Sequence, residues 1–194
     1  MKIDLNDPTA VLIAASRVLE LAGLQAAAYG GLALAMYAEP RETKDADMAV
    51  AGVKAADAEA AFRKAGFDVV CAFDDMKFGG QLLSRLTLMG GAGGSLNTVD
   101  LVEPRSAKYA REVQQRALTI TLRAQPLRVV SPEDFVILKL LATRERDLED
   151  SRSVIRALAD RIDVALIERV IGELLTEITD YDFLSRWQAL KEMA

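Results

Sequence analysis

The sequence contains no histidine. That absence removes Ser-His-Asp and Cys-His catalysis, imidazole general bases and histidine metal ligands together. Cysteine occurs once, as Cys71 in the run "FDVVCAF", so an internal disulfide and a thiolate zinc cluster are both out of reach. A lone cysteine in an apolar run reads as small core packing rather than as a nucleophile. Aromatic residues make up only 6% of the chain, and an excess of basic charge is missing too: the formal net charge is −5 and the pI ≈ 4.9. A general nucleic-acid-binding coat is thereby excluded, leaving only local basic patches open. No apolar run approaches the roughly 18 residues of a membrane span. The start, "MKIDLNDP", places Asp4 and Asp7 where a secretory leader needs basic residues. The expectation is a soluble, cytoplasmic protein whose chemistry rests on Asp, Glu, Lys, Arg, Ser, Thr or backbone amides, with a hard cation where one is needed.

What is present suffices for one domain with a substantial core: 194 residues, 51% of them apolar. Asp7-Pro8 reads as a helix N-cap and first helical residue, "TAVLIAASRVLELAG" as the helix, and Gly23 as its stop. "LQAAAY" predicts a strand ending at Gly30-Gly31, "GLALAMYAE" a short helix closed by Pro40, and "KDADMAVAG" a strand. "KAADAEAAFRKAGF" predicts a helix and "FDVVCAF" a strand. "GGQLLSRLTLMG" and "SLNTVDLVE" predict two strands joined through "GGAGGS". "SAKYAREVQQRA" reads as helix, and "ALTITL" and "LRVVS" as a hairpin around "RAQP". From "SPEDF" onward the spacing is helical, with Ser131 as N-cap, Pro132 at the first position and Glu133 and Asp134 in the first turn. The expected fold class is α+β: a mixed α/β core over residues 1–128 holding a small mixed sheet with flanking helices, then a helical region over 129–194.

Three carboxylates stand out. In a strand, residues two apart share a face, so Asp45 and Asp47 are expected to project side by side. Two carboxylates that close repel, and a divalent cation resolves the conflict; Mg²⁺ suits oxygen ligands and commonly combines one or two carboxylates with substrate phosphates. Asp100 interrupts the apolar strand "NTVDLVE" and could face the pair from a neighbouring strand. Three converging carboxylates would form a two-metal centre for phosphoryl or nucleotidyl transfer. Gly30-Gly31, between strand and helix, would let a phosphate approach the backbone at a helix start.

In this combination, "YGGLALAMYAEPRETKDADMAV" resembles the signature of the DNA polymerase β-like nucleotidyltransferase superfamily: apolar strand, Gly-Gly or Gly-Ser pair, short helix, Asp-x-Asp strand. The form R-x-T-x-D-x-D at Arg41, Thr43, Asp45 and Asp47 is similar to the bacterial branch that includes abortive-infection and toxin–antitoxin nucleotidyltransferases. "SPEDFVILKLLATRERDLEDSRSVI", with Lys139, Arg146, Asp147 and Asp150, resembles the helical segment after the core in that branch. The resemblance covers roughly residues 20 to 155. It implies Asp45, Asp47 and Asp100 as catalytic metal ligands. It implies a nucleotide site at Gly30, Gly31, Arg41, Thr43 and Lys139, two Mg²⁺ ions with Mn²⁺ as a substitute, and a nucleoside triphosphate substrate. The acceptor it implies is tRNA or protein, with an antitoxin partner. Two features depart from the pattern: Gly31 stands where many members carry serine, and Ala46 is smaller than the usual residue between the aspartates.

The alternatives are an aminoglycoside-type enzyme acting on a small molecule, a nucleotide-binding module without catalysis, and a structural domain whose aspartates are merely solvated. "GGAGGS" lacks the Gly-Lys-Ser/Thr ending of a phosphate loop and reads as a hairpin turn. Lys139 reads equally as a lysine whose stem packs on the core and as a cation for the triphosphate. Arg146 and Asp150, four apart, fit a helical ion pair. Arg105, Lys108, Arg111 and Arg116 fit a solvated helix face better than a contact surface for nucleic acid. The apolar spacing over 154–175 fits core.

Overall fold

The computed structural model describes residues 3–90 and 94–193. Its elements run α1 (Pro8–Leu21), β1 (Ala26–Tyr29), α2 (Gly30–Leu34), β2 (Ala46–Val50), α3 (Ala55–Lys64), β3 (Asp68–Phe78), β4 (Gln81–Met89), β5 (Leu96–Pro104), α4 (Ala107–Arg116), β6 (Leu118–Leu122), β7 (Gln125–Val129), α5 (Pro132–Leu141), α6 (Glu145–Leu158), a short 3-10 turn (Ala159–Arg161), α7 (Val164–Glu177) and α8 (Phe183–Met193). Seven strands form one mixed sheet in the order β3-β4-β5-β2-β1-β7-β6. This is the expected α+β class. The three central strands, β5, β2 and β1, are the alanine- and valine-rich ones. Small and branched side chains suit strands covered on both faces.

Several boundaries differ from the sequence reading. The second helix begins at Gly30 itself and ends at Leu34. Met36 and Tyr37 then bond back only three residues, to Ala33 and Leu34. The chain turns there because the Tyr37 hydroxyl donates to the Val130 carbonyl and its ring meets Phe135 edge-on. Strand β2 starts at Ala46, the first residue paired with β5, so Asp45 sits in the bend before the strand. Strand β3 runs well past "FDVVCAF" to Phe78, through the polar stretch Asp74 to Lys77. Two bulges interrupt it, and Ser84 Oγ steadies them by accepting from the Asp75 amide and donating to Asp74. "RAQP" is not a four-residue turn. Arg123 and Ala124 alone form the bend, both at positive φ, and Gln125 and Pro126 belong to β7. Two left-handed residues match the twist of a tight hairpin. Strands β4 and β5 pair antiparallel on either side of 90–95; of that glycine-rich link, 91–93 lie outside the described residues.

A single hydrophobic core runs through both halves of the chain. Every residue of α5 from Asp134 to Leu141 is buried. The preceding strand, β7, joins β1 in parallel. Helix α7 buries Ile167, Val170, Ile171 and Leu174, one helical stripe, and α8 buries Phe183, Trp187 and Leu190. The tip of the β3–β4 hairpin grips the end of α5. The Gly80 amide donates to the Leu141 carbonyl at 2.9 Å, Gln81 Nε2 to the Leu138 carbonyl at 2.6 Å, and the Tyr181 hydroxyl to the Ala142 carbonyl. Carbonyls that a helix end leaves open are satisfied this way. Among the described residues no helix is long and apolar enough to cross a membrane.

Candidate active site

Strand register assembles the site. Tyr29 on β1 lies opposite Asp47 on β2, Asp47 opposite Asp100 on β5, Asp100 opposite Arg85 on β4, and Arg85 opposite Phe73 on β3. Directly opposed residues share a sheet face, so five strands contribute one row: Tyr29, Asp47, Asp100, Arg85, Phe73. Asp45 projects onto the same face, where Oδ1 accepts from Thr98 Oγ1 at 2.9 Å. Tyr29, Asp47, Asp100 and Arg85 of this row floor a cleft of about 480 Å³ whose walls include Gly30, Arg41, Thr43, Lys139 and Arg146.

The two glycines have steric reasons to be there. Gly30 adopts φ +69, and a Cβ at that position would lie 1.8 Å from Asp47 Oδ2. At Gly31 a Cβ would lie 2.8 Å from Thr43 Cβ and 3.0 Å from Arg41 Nη1. A serine at this position, as in the resembled pattern, would press on the Arg41–Thr43 loop, which packs directly on this turn.

The carboxylates differ in their surroundings. No hydrogen bond reaches the Asp47 carboxylate among the described residues. Burial, then the charges of Asp100 and Asp45, push its pKa up to about 7 against the pull of Lys139 and Arg144. Asp100 is 5% exposed, and both its oxygens are taken by Arg85, Nε to Oδ1 and Nη2 to Oδ2, each at 2.7 Å. Arg85 also reaches Asp45 at 3.9 Å and lies 5.6 Å from the Phe73 ring centre. Among the described residues no three Asp, Glu, His or Cys side chains converge closely enough to hold a metal ion as placed. Asp45 and Asp47 are the aspartates lining the cleft without a guanidinium across both oxygens. As hard oxygen donors they fit one Mg²⁺-type ion.

Lys139 is 2% exposed and sits between Asp147 at 2.8 Å and Asp150 at 2.9 Å, with its ammonium 5.3 Å from the Tyr29 ring centre. Asp150 is not the helical partner of Arg146. It takes a two-pronged bond from Arg41, Nε and Nη2 both at 2.8 Å. Burial works to raise the Asp150 pKa, but the bonds from Arg41 and Lys139 outweigh it and hold the group below its ordinary value. Arg41, Asp150, Lys139, Asp147 and Arg144 thus form a chain of charges tying the loop before β2 to α5 and α6. Arg85 and Gln81 were not singled out from the sequence. The only signal is a lone charged residue, Arg85, on the half-exposed face of the strand "QLLSRLTLM".

Residues 20–193 match the family described as "Nucleotidyltransferase of unknown function (DUF6036)". The chain belongs to that family. This nucleotidyltransferase has no match among curated proteins. Its fold is shared with an antigenic nucleotidyltransferase-like protein from Paracoccidioides brasiliensis (TM-score 0.52, 19% identity, covering 94% of this chain and 91% of the other). It is shared too with ANT(2")-Ia, solved with adenylyl-2"-tobramycin (TM-score 0.52, 15% identity, 92% and 98% covered). A nucleotidyltransferase candidate from H. pylori is similar as well (TM-score 0.53, 15% identity, 99% and 94% covered). The family match takes in the last 40 residues, which the sequence resemblance did not reach.

Proposed function

We propose that this nucleotidyltransferase moves a nucleotide from a nucleoside triphosphate to an acceptor hydroxyl and releases pyrophosphate, using Mg²⁺, or Mn²⁺ in its place, held by Asp45 and Asp47. The observation that carries this reading is Asp47: a carboxylate without a hydrogen-bond donor, beside a glycine turn, at the floor of a charged cleft. When bound, the ion would neutralise the triphosphate and favour ionisation of the attacking hydroxyl. The protein's own part is positioning and electrostatics. Gly30 and Gly31 let the β1–α2 turn lie close against the Asp47 strand. Arg41 and Thr43 wall that turn, with Arg41 anchored by Asp150. Lys44, Arg144 and Arg146 line the cleft with positive charge for phosphate oxygens. Lys139, with two acids on its ammonium, acts by fixing that wall.

We infer that the acceptor is a small hydroxyl-bearing molecule. Three of the four basic residues following Asp100 are already neutralised: Arg105 by Asp180, Lys108 by Glu173 and Arg116 by Asp134. A second hollow of about 590 Å³ adjoins the cleft across Glu42, Thr43, Lys44 and Asp45, which supports a compact acceptor beside a triphosphate. The toxin-like reading, with tRNA or protein as acceptor and an antitoxin partner, rests on the Arg41–Asp47 pattern. Labelled-nucleotide transfer by Asp45→Asn and Asp47→Asn tests the centre: full activity in both, wherever the wild type shows any, would remove the metal assignment. For the acceptor, a steep salt dependence of tRNA binding would return the macromolecular reading.

A further inference from the structure

The cation that faces Asp100 is part of the chain. We infer that Arg85 occupies the second-cation half of this centre, so that the protein takes one divalent ion, at Asp45 and Asp47, where three carboxylates would otherwise take two. The inference rests on the nucleotidyltransferase reading and adds to it a residue with a stated task. Four observations carry it. Arg85 spans both oxygens of a nearly buried Asp100 at 2.7 Å. The pairing is fixed by strand register, since the two residues are directly opposite in the β4–β5 ladder, and the Phe73 ring backs the guanidinium from the next strand. The same guanidinium reaches Asp45 at 3.9 Å, so one positive charge of the chain already serves both Asp45 and Asp100. As placed, no three acids among the described residues form a metal-binding group.

A guanidinium keeps its charge at every accessible pH, so a dication at this point would meet both a filled carboxylate and a repelling neighbour. Asp100 uses two of the five N–H donors of Arg85. The side chain is 33% exposed at the cleft, and its remaining donors are available to phosphate oxygens. Arg85 would then steady the triphosphate where a second metal does so elsewhere, and Asp100 would be a positioning residue for Arg85.

The test is Mn²⁺ binding, counted by calorimetry and by electron paramagnetic resonance on the intact protein, with and without a non-hydrolysable triphosphate. The expected counts are one ion for wild type, two for Arg85→Gln, with the added site at least tenfold tighter than any second binding in wild type, and one for Arg85→Lys. The double variant Arg85→Gln/Asp100→Asn should return to one ion. It also removes both partners of the buried pair, which guards against a misfolded single variant. Two ions in wild type, or one ion in both wild type and Arg85→Gln, overturns the inference and leaves nucleotidyl transfer standing. No ion in any variant overturns the metal-site reading together with it.

Discussion

Burial and the charges of Asp100 and Asp45 raise the Asp47 pKa to about 7, so this carboxyl takes up its proton near neutral pH. In the unfolded chain the same carboxyl titrates near 4. The folded state therefore holds an extra proton between those values. The stability this group contributes is complete below about pH 4 and is lost as pH rises through 7. Replacing Asp47 with asparagine removes the charge at every pH. In metal-free buffer at pH 8 the Asp47→Asn protein should be more stable than wild type by roughly 1–3 kcal/mol, the advantage vanishing towards pH 4. Urea titrations across that range check it; parallel pH profiles for the two proteins would show that the carboxylate is not strained. Transfer activity in the same variant should fall by at least ~100-fold. Gly31 offers a second residue-scale test. Serine there would press on Thr43 Cβ and Arg41, so Gly31→Ser should cost about 1–3 kcal/mol, and adding Thr43→Gly, which removes that Cβ, should recover part of it. A neutral Gly31→Ser would mean that the loop yields freely.

At the scale of elements, buried charges tie α5 to α6 alongside the apolar packing of Leu148 and Val154. Lys139, fully enclosed, holds Asp147 and Asp150 from the next helix. Lys139→Met would leave Asp147 with Arg144 alone and Asp150 with Arg41 alone and should destabilise by about 2–4 kcal/mol. If the lysine only packed its stem, the loss in chemical denaturation would be below ~1 kcal/mol. These elements also show where sequence reading succeeds. Helix starts announced by Asp7-Pro8 and Ser131-Pro132 are where the pattern places them, since a cap is a local bond: Asp7 accepts from Thr9 and Ala10, Ser131 from Asp134. The central strands were legible from their apolar runs. Strand β3 was only half legible because it is an edge strand exposed along most of its length, so neither alternation nor hydrophobicity marks its second half. The glycine pair, Asp45 and Asp47 stand out together in the sequence because they lie close along the chain. The Arg85–Asp100 and Arg41–Asp150 pairs could not: each depends on which elements become neighbours, which no local pattern records. Lys139 was seen, but only the fold shows that its charge is turned to the acids of α6.

For the molecule as a whole, the C-terminal helices belong to the same core as the catalytic sheet. A chain ending before residue 183 would lose Phe183, Trp187 and Leu190 from that core. It should unfold at markedly lower urea with a less cooperative transition, not behave as a trimmed but intact enzyme; an unchanged midpoint would show that α8 is dispensable. The cross-sheet row has a kinetic consequence as well. Asp47 and Asp100 meet through a parallel pairing between strands separated by about fifty residues, the sort of long-range closure that comes late in folding. The β3–β4 and β6–β7 hairpins and the helices can form from neighbouring sequence. The only tryptophan, Trp187, lies on α8 and is buried there, so its fluorescence reports helix docking at the opposite end of the chain from the β2–β5 closure. During refolding from urea, Trp187 emission should recover before the protein regains the capacity to bind a triphosphate. The interval between the two would time the moment at which five strands reach common register and the site comes into existence.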